Sequence, residues 1–372
     1  MEEELNSIKN IRQKEKDEKN LEKKFNSLLN DKIFEINVIK DSLKNDILDY
    51  QKYIKSHIIK FNEINKKILE NLQKNINKIN KNYKAKLYGS RATNLCLMWS
   101  DIDIVIYYEK KNNKRIGNEI CKNEEEIEEI DNIEDERNDF LEKLNDILNN
   151  DISFVENIKY LNKAKVPIIK IKTTKEYNNT MVDITLQTKE HFGLRCVNLI
   201  KNFVKEYESL ELLLFPLKTI LKISELNDPY NGGLSSYALI LMIVNFLEYQ
   251  KKINKNISKD KIGDLFYDFL FFYGGRKDSN YIDLSNLNKK TFSNNCLVYI
   301  SDPLNKNNNV AKASYKFIEV KLIFLMSLQI LNEPCYCQCH YIQNFDDKNI
   351  EHNYLNKIFF GLKRGRGKIN SN

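Results

Sequence analysis

Apolar positions follow a helical period at both ends of the chain and a strand period in between. From Ile33 to roughly Asn82 they recur at helical spacing, which predicts two helices. One stripe in this segment comprises Ile54, His57, Ile58, Phe61, Ile64, Ile68 and Leu72. After residue 190 the apolar runs again have helical spacing. The pattern predicts an α+β fold in which a sheet domain is followed by helices.

The strand signal is strongest at Asp101–Ile106, where carboxylates alternate with β-branched side chains. Two further runs, Val166–Lys172 and Thr180–Leu186, are predicted to pair as a hairpin through the polar turn of residues 173–179. A helix is predicted over residues 139–149 and a short strand over Ile152–Val155.

These elements suggest four parts. We expect a charged N-terminal extension at 1–30, and a catalytic domain at 60–190 with an acidic insertion at about 110–137. A helical central domain is expected from 33–59 and 191–345, and a basic tail at 346–372. The longest apolar run, Ala238–Leu247, is too short for a membrane span, which needs about 20 residues.

The net charge favours a nucleic-acid-binding protein, and the cysteine usage argues against a disulfide-bonded secreted one. The net charge is +7, although residues 124–136 hold nine acids and no base, so the rest of the chain is strongly basic and suits a polyanion such as nucleic acid. The seven cysteines form no disulfide framework, and no signal-peptide core is visible. The cluster from Cys335 to Cys339 fits a group of free thiols better than a zinc site, because its spacing is too short.

The strongest candidates for catalytic residues lie on and near the predicted strand at Asp101–Ile106. Asp101 and Asp103 point to the same face of a strand and repel each other unless a divalent cation such as Mg²⁺ lies between them. Gly89 and Ser90, at a turn before this strand, offer close backbone approach and donors for a triphosphate. Asp183, flanked by apolar residues on its own strand, is the candidate third carboxylate.

The helical half carries a second group of polar positions. Lys218 and Lys222 share one helix face and either contact phosphates or form a solvated face. Residues 232–237 form a turn that opens onto a buried helix, where Tyr237 offers a ring for base stacking and Ser235 can act as an N-cap.

The Gly-Ser pair, the spacer and the Asp-x-Asp strand resemble the signature of the nucleotidyltransferase superfamily that includes DNA polymerase beta and the poly(A) polymerases. The block at 232–237 resembles the non-canonical poly(A) polymerases and terminal uridylyltransferases, and the pattern is most similar to the poly(A) polymerase branch of the TRAMP nuclear surveillance complex. Further matches lie at residues 166–170, 265–274, 300–304 and 308–315.

This resemblance implies a polymerase-beta-like palm and a helical PAP-associated domain, with a nucleotide bound in the cleft between them. It implies that Asp101, Asp103 and Asp183 are catalytic and hold two Mg²⁺ or Mn²⁺ ions. The nucleotide-binding positions it implies are Gly89, Ser90, Gly193, Lys218, Lys222, Ser236, Tyr237 and Asn308.

The activity implied is template-independent addition of AMP from ATP to an RNA 3′ end. Asn308 favours ATP, since uridylyl-adding relatives tend to carry His there. A uridylyltransferase and an inactive scaffold of an RNA-decay complex are the alternatives. The resemblance further implies a nuclear protein with a zinc-knuckle RNA-binding partner and an RNA helicase, and no membrane association.

Overall fold

The computed structural model describes residues 33–109, 134–164, 166–188, 192–275, 281–284, 297–332 and 354–369, together with positions 19, 20 and 23. Most of the predicted N-terminal extension lies outside the described residues, as do residues 110–133 of the acidic insertion and the cysteine cluster at 335–339.

The chain divides into two compact units. A sheet unit comprises Ile54–Asn202, and a helical unit comprises Met1–Tyr53 together with Phe203–Asn372. The boundaries predicted from the sequence, 59/60 and 190/191, lie 6 and 12 residues from these. Both boundaries of the structure fall within helices, where apolar periodicity continues and gives no signal of a domain change.

The sheet unit is built on five strands in the order β1-β2-β5-β4-β3. These are β1 (Tyr83–Tyr88), β2 (Ile102–Tyr108), β3 (Val155–Leu161), β4 (Ile168–Thr173) and β5 (Met181–Leu186). Strands β2 and β5 are parallel, whereas β4 and β5 form an antiparallel pair. The predicted hairpin is therefore present, with the short 3-10 helix Lys175–Tyr177 in its turn.

The predicted strand at Ile152–Val155 is wrong, because β3 begins only at Val155. The amides of Phe154 and Val155 both donate to the Asp151 carbonyl, at 3.0 and 2.8 Å, which closes a turn over these residues. Alternation of apolar residues was too short there to separate a turn from a strand.

One face of the sheet forms the core of this unit. Ile102, Ile104 and Ile106 of β2 are fully buried, as are Val182 and Ile184 of β5. They pack against apolar side chains of two helices, α1 (Ile33–Ile79) and, after the four-residue helix α2 (Gly89–Ala92), α3 (Glu134–Asn149). Because side chains alternate along a strand, the odd-numbered aspartates face away from this core.

Helix α1 corrects a second expectation. The segment predicted as two helices is one continuous helix of 47 residues. No glycine or proline interrupts the sequence from 33 to 82, so no residue in it favours a break. The apolar stripe was predicted correctly for Ile54, Ile58, Ile68 and Leu72, which are all buried.

The helical unit is formed mainly by helices that follow the sheet. They are α4 (Gly193–Glu206), which begins in the sheet unit, α5 (Leu210–Ile223), α6 (Ser236–Lys252), α7 (Ile262–Gly275), α8 (Phe317–Asn332) and α9 (Tyr354–Ile369). A small sheet joins β6 (Tyr281–Ile282), β7 (Tyr299–Asp302) and β8 (Asn305–Asn309). Within the described residues, no helix combines the length and apolar character that crossing a membrane requires.

Helix α9 occupies much of the segment predicted as a basic tail. Leu355, Ile358 and Leu362 are buried at helical spacing, and the helix packs against α5 and α8. The basic, glycine-containing sequence from Gly361 onwards obscured this apolar stripe. The tail prediction is therefore wrong for the part that the structure describes.

The start of α9 is held by Asp46 of α1, whose carboxylate accepts the backbone N–H of Tyr354 at 2.6 Å and of Leu355 at 3.4 Å. Burial raises the pKa of Asp46 to about 6, against the two amides that lower it. The folded state thus binds a proton more tightly than the unfolded chain does, so the contribution of Asp46 to stability decreases as pH rises from about 4 to about 6.

We therefore expect Asp46→Asn to be more stable than the wild type above pH ~6, by on the order of 1 kcal/mol, since solvent screens part of the carboxylate's charge. The amide oxygen of Asn still accepts the two N–H groups. Urea unfolding of both proteins across this pH range measures the difference. A variant that matches the wild type at low pH but is less stable above pH ~6 would show that the ionised carboxylate itself anchors the helix.

Candidate active site

The three predicted carboxylates lie on two neighbouring strands of the sheet unit. Asp103 in β2 and Asp183 in β5 are direct register partners across the parallel pair. Asp101 precedes β2 by one residue and is exposed, whereas Asp103 and Asp183 are half-buried. The fold thus brings Asp103 and Asp183, which are 80 positions apart in the chain, side by side on the face opposite the core.

Gly89 lies directly against Asp103. Its φ is +66°, and a Cβ built on it falls 2.2 Å from Asp103 Oδ2. A larger residue would meet both backbone strain and a collision with this carboxylate. The glycine that the sequence assigned to triphosphate binding therefore also allows Asp103 to hold its position. Ser90 follows it in α2 and is half-buried.

Asp183 has a basic neighbour that the sequence analysis did not assign. Lys170 of β4 is its register partner, and Lys170 Nζ forms an ion pair with Asp183 Oδ2. The Asp183 side chain is 16 % exposed, so this pair is partly shielded from water. The signal was present, since residues 170 and 172 alternate with the buried Ile169 and Ile171 and so share the face of the aspartates.

The carboxylate oxygens of Asp101, Asp103 and Asp183 are the ligand type that Mg²⁺ and Mn²⁺ prefer. Among the described residues, no group of three or more His, Cys, Asp and Glu side chains is arranged to hold a metal ion. The type of donor fits Mg²⁺ or Mn²⁺, but the side chains as they stand do not form a ready-made metal site. Because Asp183 forms an ion pair with Lys170, a metal ion that binds Asp183 must displace the Lys170 ammonium group.

Arg91 is a second basic residue beside the carboxylates. Its guanidinium is buried, lies 4.2 Å from the centre of the Phe61 ring and donates to the Ser100 carbonyl at 2.6 Å. Burial lowers the pKa of Arg91, while the charges of Asp101 and Asp103 act in the opposite direction. An arginine retains its proton under such conditions, so it offsets part of the negative charge.

We expect Lys170→Met to destabilise the metal-free protein by about 1 kcal/mol, because the half-buried Asp183 loses its counterion. Addition of Mg²⁺ should then stabilise the variant more than it stabilises the wild type, since the ion no longer displaces an ammonium group. Thermal unfolding in EDTA and in Mg²⁺ measures both effects.

Lys172→Met is the matched control for this comparison. Lys172 lies on the same strand and face, but it pairs with Glu156 at 2.9 Å in an exposed ion pair. Equal Mg²⁺ stabilisation of the two variants would show that Lys170 does not compete with the metal.

Two of the predicted nucleotide contacts are brought together within the helical unit. The Tyr237 hydroxyl donates to Asp302 Oδ1 at 2.9 Å, and Asn308 Nδ2 donates to Asp302 Oδ2 at 3.0 Å. Asp302, which is buried, fixes the orientation of both side chains. Asp302 is not among the predicted site residues, although it lies within residues 300–304, one of the segments that carry the family resemblance.

The remaining predicted positions are distributed over three helices. Ser236 is exposed at the start of α6. The preceding Ser235 is the N-cap of this helix, as one of the predictions had it, and its hydroxyl oxygen accepts the Ala238 N–H at 3.1 Å. On α5, Lys218 is half-buried and Lys222 is exposed. Gly193 is the first residue of α4, within the sheet unit.

Comparison with known families agrees with this arrangement. Residues 43–205 match the family described as "Poly(A) RNA polymerase, mitochondrial-like, central palm domain". This segment contains the sheet, Gly89 and all three aspartates. The match covers 163 of the 372 residues, so this segment is similar to the palm domain of that family.

Several named proteins are similar in sequence to this chain. A Drosophila melanogaster protein named "Inactive non-canonical poly(A) RNA polymerase protein Trf4-2" is 28 % identical over 249 residues, which cover 63 % of this chain and 54 % of that protein. Poly(A) RNA polymerase cid14 of Schizosaccharomyces pombe is 27 % identical, with 50 % of this chain and 28 % of that protein covered. Poly(A) RNA polymerase protein 2 of Saccharomyces cerevisiae is 23 % identical, with 80 % and 49 % covered. The chain thus spans about half the length, or less, of these relatives.

Solved structures show the same fold. The polymerase core of TRAMP, described as an RNA surveillance complex, aligns with a TM-score of 0.59 at 20 % identity and covers 78 % of this chain and 86 % of that chain. The Cid1 poly(U) polymerase with bound MgGTP aligns with a TM-score of 0.57 at 17 % identity and covers 78 % and 96 %. The expected polymerase-beta-like palm with a helical domain is therefore confirmed.

Proposed function

We propose that the chain adds nucleotides to RNA 3′ ends without a template, and that ATP is its preferred substrate. The observation that carries this proposal is the register pairing of Asp103 with Asp183 beside Gly89, in a segment similar to the palm of a poly(A) RNA polymerase family. A fold that keeps neighbouring carboxylates on one face bears a repulsion that a metal-dependent reaction explains.

Asp101, Asp103 and Asp183 are the residues that would hold two Mg²⁺ or Mn²⁺ ions. Such ions, when bound, activate the RNA 3′-hydroxyl and stabilise the charge on the leaving pyrophosphate. The 3′-hydroxyl attacks the α-phosphorus of ATP, a new phosphodiester bond forms, and the bond to pyrophosphate breaks. Asp183 would accept the hydroxyl proton once it has left Lys170, with which it forms an ion pair.

The other residues of the chain act by orientation and charge. Ser90 donates to the triphosphate, while Lys218, Lys222 and Ser236 neutralise or donate to its oxygens, and Gly193 leaves room beside the ribose. The protein supplies no covalent nucleophile, so positioning and charge neutralisation provide most of the rate enhancement.

The hydrogen bonds of Asp302 support adenine as the base of the incoming nucleotide. Because Asp302 accepts from the Asn308 amide nitrogen, the Asn308 carbonyl oxygen is directed elsewhere and is available as an acceptor. Adenine presents an exocyclic amine as a donor, whereas uracil presents a carbonyl oxygen at the corresponding position. Tyr237 offers its ring for stacking. These features support ATP over UTP.

The test is extension of a labelled oligo(A) RNA by the purified chain with each of the four NTPs separately and Mg²⁺. We expect long products with ATP and few with UTP, and we expect Asn308→His to shift the preference towards UTP. Preferred use of UTP by the wild type would replace this proposal by the uridylyltransferase alternative.

An inactive scaffold is the second candidate, and it is favoured by one observation, the naming of the fruit-fly relative as inactive. All three aspartates and Gly89 are present in this chain, which supports an active enzyme. Absence of extension with every NTP, in Mg²⁺ and in Mn²⁺ and with a zinc-knuckle protein added, would support the scaffold.

We further propose a nuclear role in RNA surveillance, with a zinc-knuckle RNA-binding protein and an RNA helicase as partners. The relation to the TRAMP polymerase core supports this proposal. Affinity purification of the tagged chain from nuclear extract, with identification of the bound proteins, tests it.

A further inference from the structure

A cavity of about 220 Å³ lies in the sheet unit beside Asp101. Phe61 and Asn65 of α1 form one wall, and Trp99 and Met181 form the opposite side. None of these four residues belongs to the predicted catalytic or nucleotide-binding set. Apart from Asp101, which the cavity adjoins, the function proposed above gives its lining residues no role.

Asn65 is the least expected residue of this lining. Its side chain is 3 % exposed, and within the described residues neither its amide nitrogen nor its amide oxygen has a hydrogen-bond partner. Burying an amide without partners destabilises the folded protein, and buried polar groups are nearly always hydrogen-bonded. Such a group lining a cavity is ready to bond a ligand that carries both a donor and an acceptor.

A second donor in the same wall is also unused. Arg91 Nε has no acceptor among the described residues, although the guanidinium donates through another nitrogen to Ser100. The cavity therefore combines two donors and one acceptor that have no partner in the part of the chain that the structure describes.

The opening of the cavity is apolar. Trp99 is 40 % exposed and Met181 is 42 % exposed, which is unusual for side chains of this size. An exposed indole beside amide groups is the combination that proteins use to stack and hydrogen-bond an unpaired nucleobase.

The position of the cavity links it to the reaction. Met181 precedes Asp183 by two residues in β5, so their side chains leave the sheet on the same face. Asp101 itself lines the cavity. A ligand bound here lies next to the carboxylates that would hold the metal ions.

We propose that this cavity binds the base of the 3′-terminal nucleotide of the acceptor RNA. The inference rests on the function proposed above, in which the base of ATP is bound by Tyr237 and Asn308, so that the acceptor requires a site of its own. The volume is below the roughly 300–1,000 Å³ of pockets that enclose whole drug-sized ligands, and it suits a single base. The donor and acceptor of an Asn amide match those of adenine, the base that each cycle leaves at the 3′ end.

Trp99 is the only tryptophan of the chain, so its fluorescence reports on this cavity alone. The first experiment titrates the metal-free protein with oligo(A) and, separately, with ATP, while tryptophan is excited selectively. We expect saturable quenching by oligo(A), weaker quenching by the same RNA ending in uridine, and little by ATP. Saturable quenching by ATP with none by RNA would overturn the proposal, because the cavity would then bind the incoming nucleotide.

The second experiment compares Asn65→Leu with Asn77→Leu, an exposed position of the same helix. Leu at position 65 has a similar volume and removes the unbonded amide, so we expect a higher melting temperature. We also expect a KM for oligo(A) that is about tenfold higher, with the KM for ATP unchanged. Asn77→Leu should change neither KM.

The outcomes separate the two proposals. No extension by the wild type under any condition contradicts the proposed function, and the fluorescence titration still decides whether the cavity binds RNA. An active wild type with an Asn65→Leu variant that melts lower and binds RNA normally would identify Asn65 as a structural residue and overturn this inference.

Discussion

Asp103→Asn should lower the rate of nucleotide addition by about a thousandfold or more. A metal ion at these carboxylates contributes several kcal/mol to the transition state, and each 1.36 kcal/mol corresponds to a factor of ten in rate. Asp103 is the register partner of Asp183, so its carboxylate lies next to that of Asp183 and would bind the same metal ions. The amide keeps the shape of the side chain and removes the charge. Single-turnover extension of labelled RNA measures the rate, and stabilisation by Mn²⁺ in thermal unfolding measures metal binding.

Asp139→Asn is the control for this variant. Asp139 is exposed in α3 and pairs with Lys143 at 2.6 Å, away from the predicted cluster. It should retain wild-type activity and metal response. An Asp103→Asn protein that is folded and as active as the control would contradict the assignment of Asp103.

Gly89→Ala should lower activity by about a hundredfold. The new Cβ would lie 2.2 Å from Asp103 Oδ2, so the carboxylate must move, and a displacement of about 1 Å at a reacting centre costs a factor of this size. The positive φ of +66° adds about 1 kcal/mol of strain for a residue with a side chain. Extension kinetics and urea unfolding measure the two effects separately.

Asn94→Gly is a useful comparison, since Asn94 also has a positive φ, of 58°, and is exposed after α2. It should increase or preserve stability and leave activity unchanged. If Gly89→Ala lost stability but kept full activity, the contact with Asp103 would have no catalytic importance.

The local pattern was sufficient to predict the core of the sheet unit. Alternation placed Asp101 and Asp103 opposite Ile102 and Ile104, and the hairpin that brings Asp183 to the sheet was marked by its polar turn. Such signals need only a few consecutive residues. The parallel pairing of β2 with β5, which makes Asp103 and Asp183 neighbours, was not predicted, because the local pattern does not indicate which distant strands pair.

What the sequence did not reveal depends on contacts between distant segments. Lys170 became a partner of Asp183 only through the register of β4 and β5, and Asp302 joins Tyr237 and Asn308 across 65 and 6 positions of the chain. Asp46 holds α9 across 308 positions. Helical periodicity likewise gave no signal of the boundary between the units at Tyr53 and Ile54, because α1 continues through it.

The most direct measurement is extension of a labelled oligo(A) RNA by the purified chain with ATP and Mg²⁺, beside Asp101→Ala. We predict products longer than the starting RNA from the wild type, and none from the variant or in EDTA. Extension that persists in Asp101→Ala would contradict metal-dependent catalysis at these aspartates.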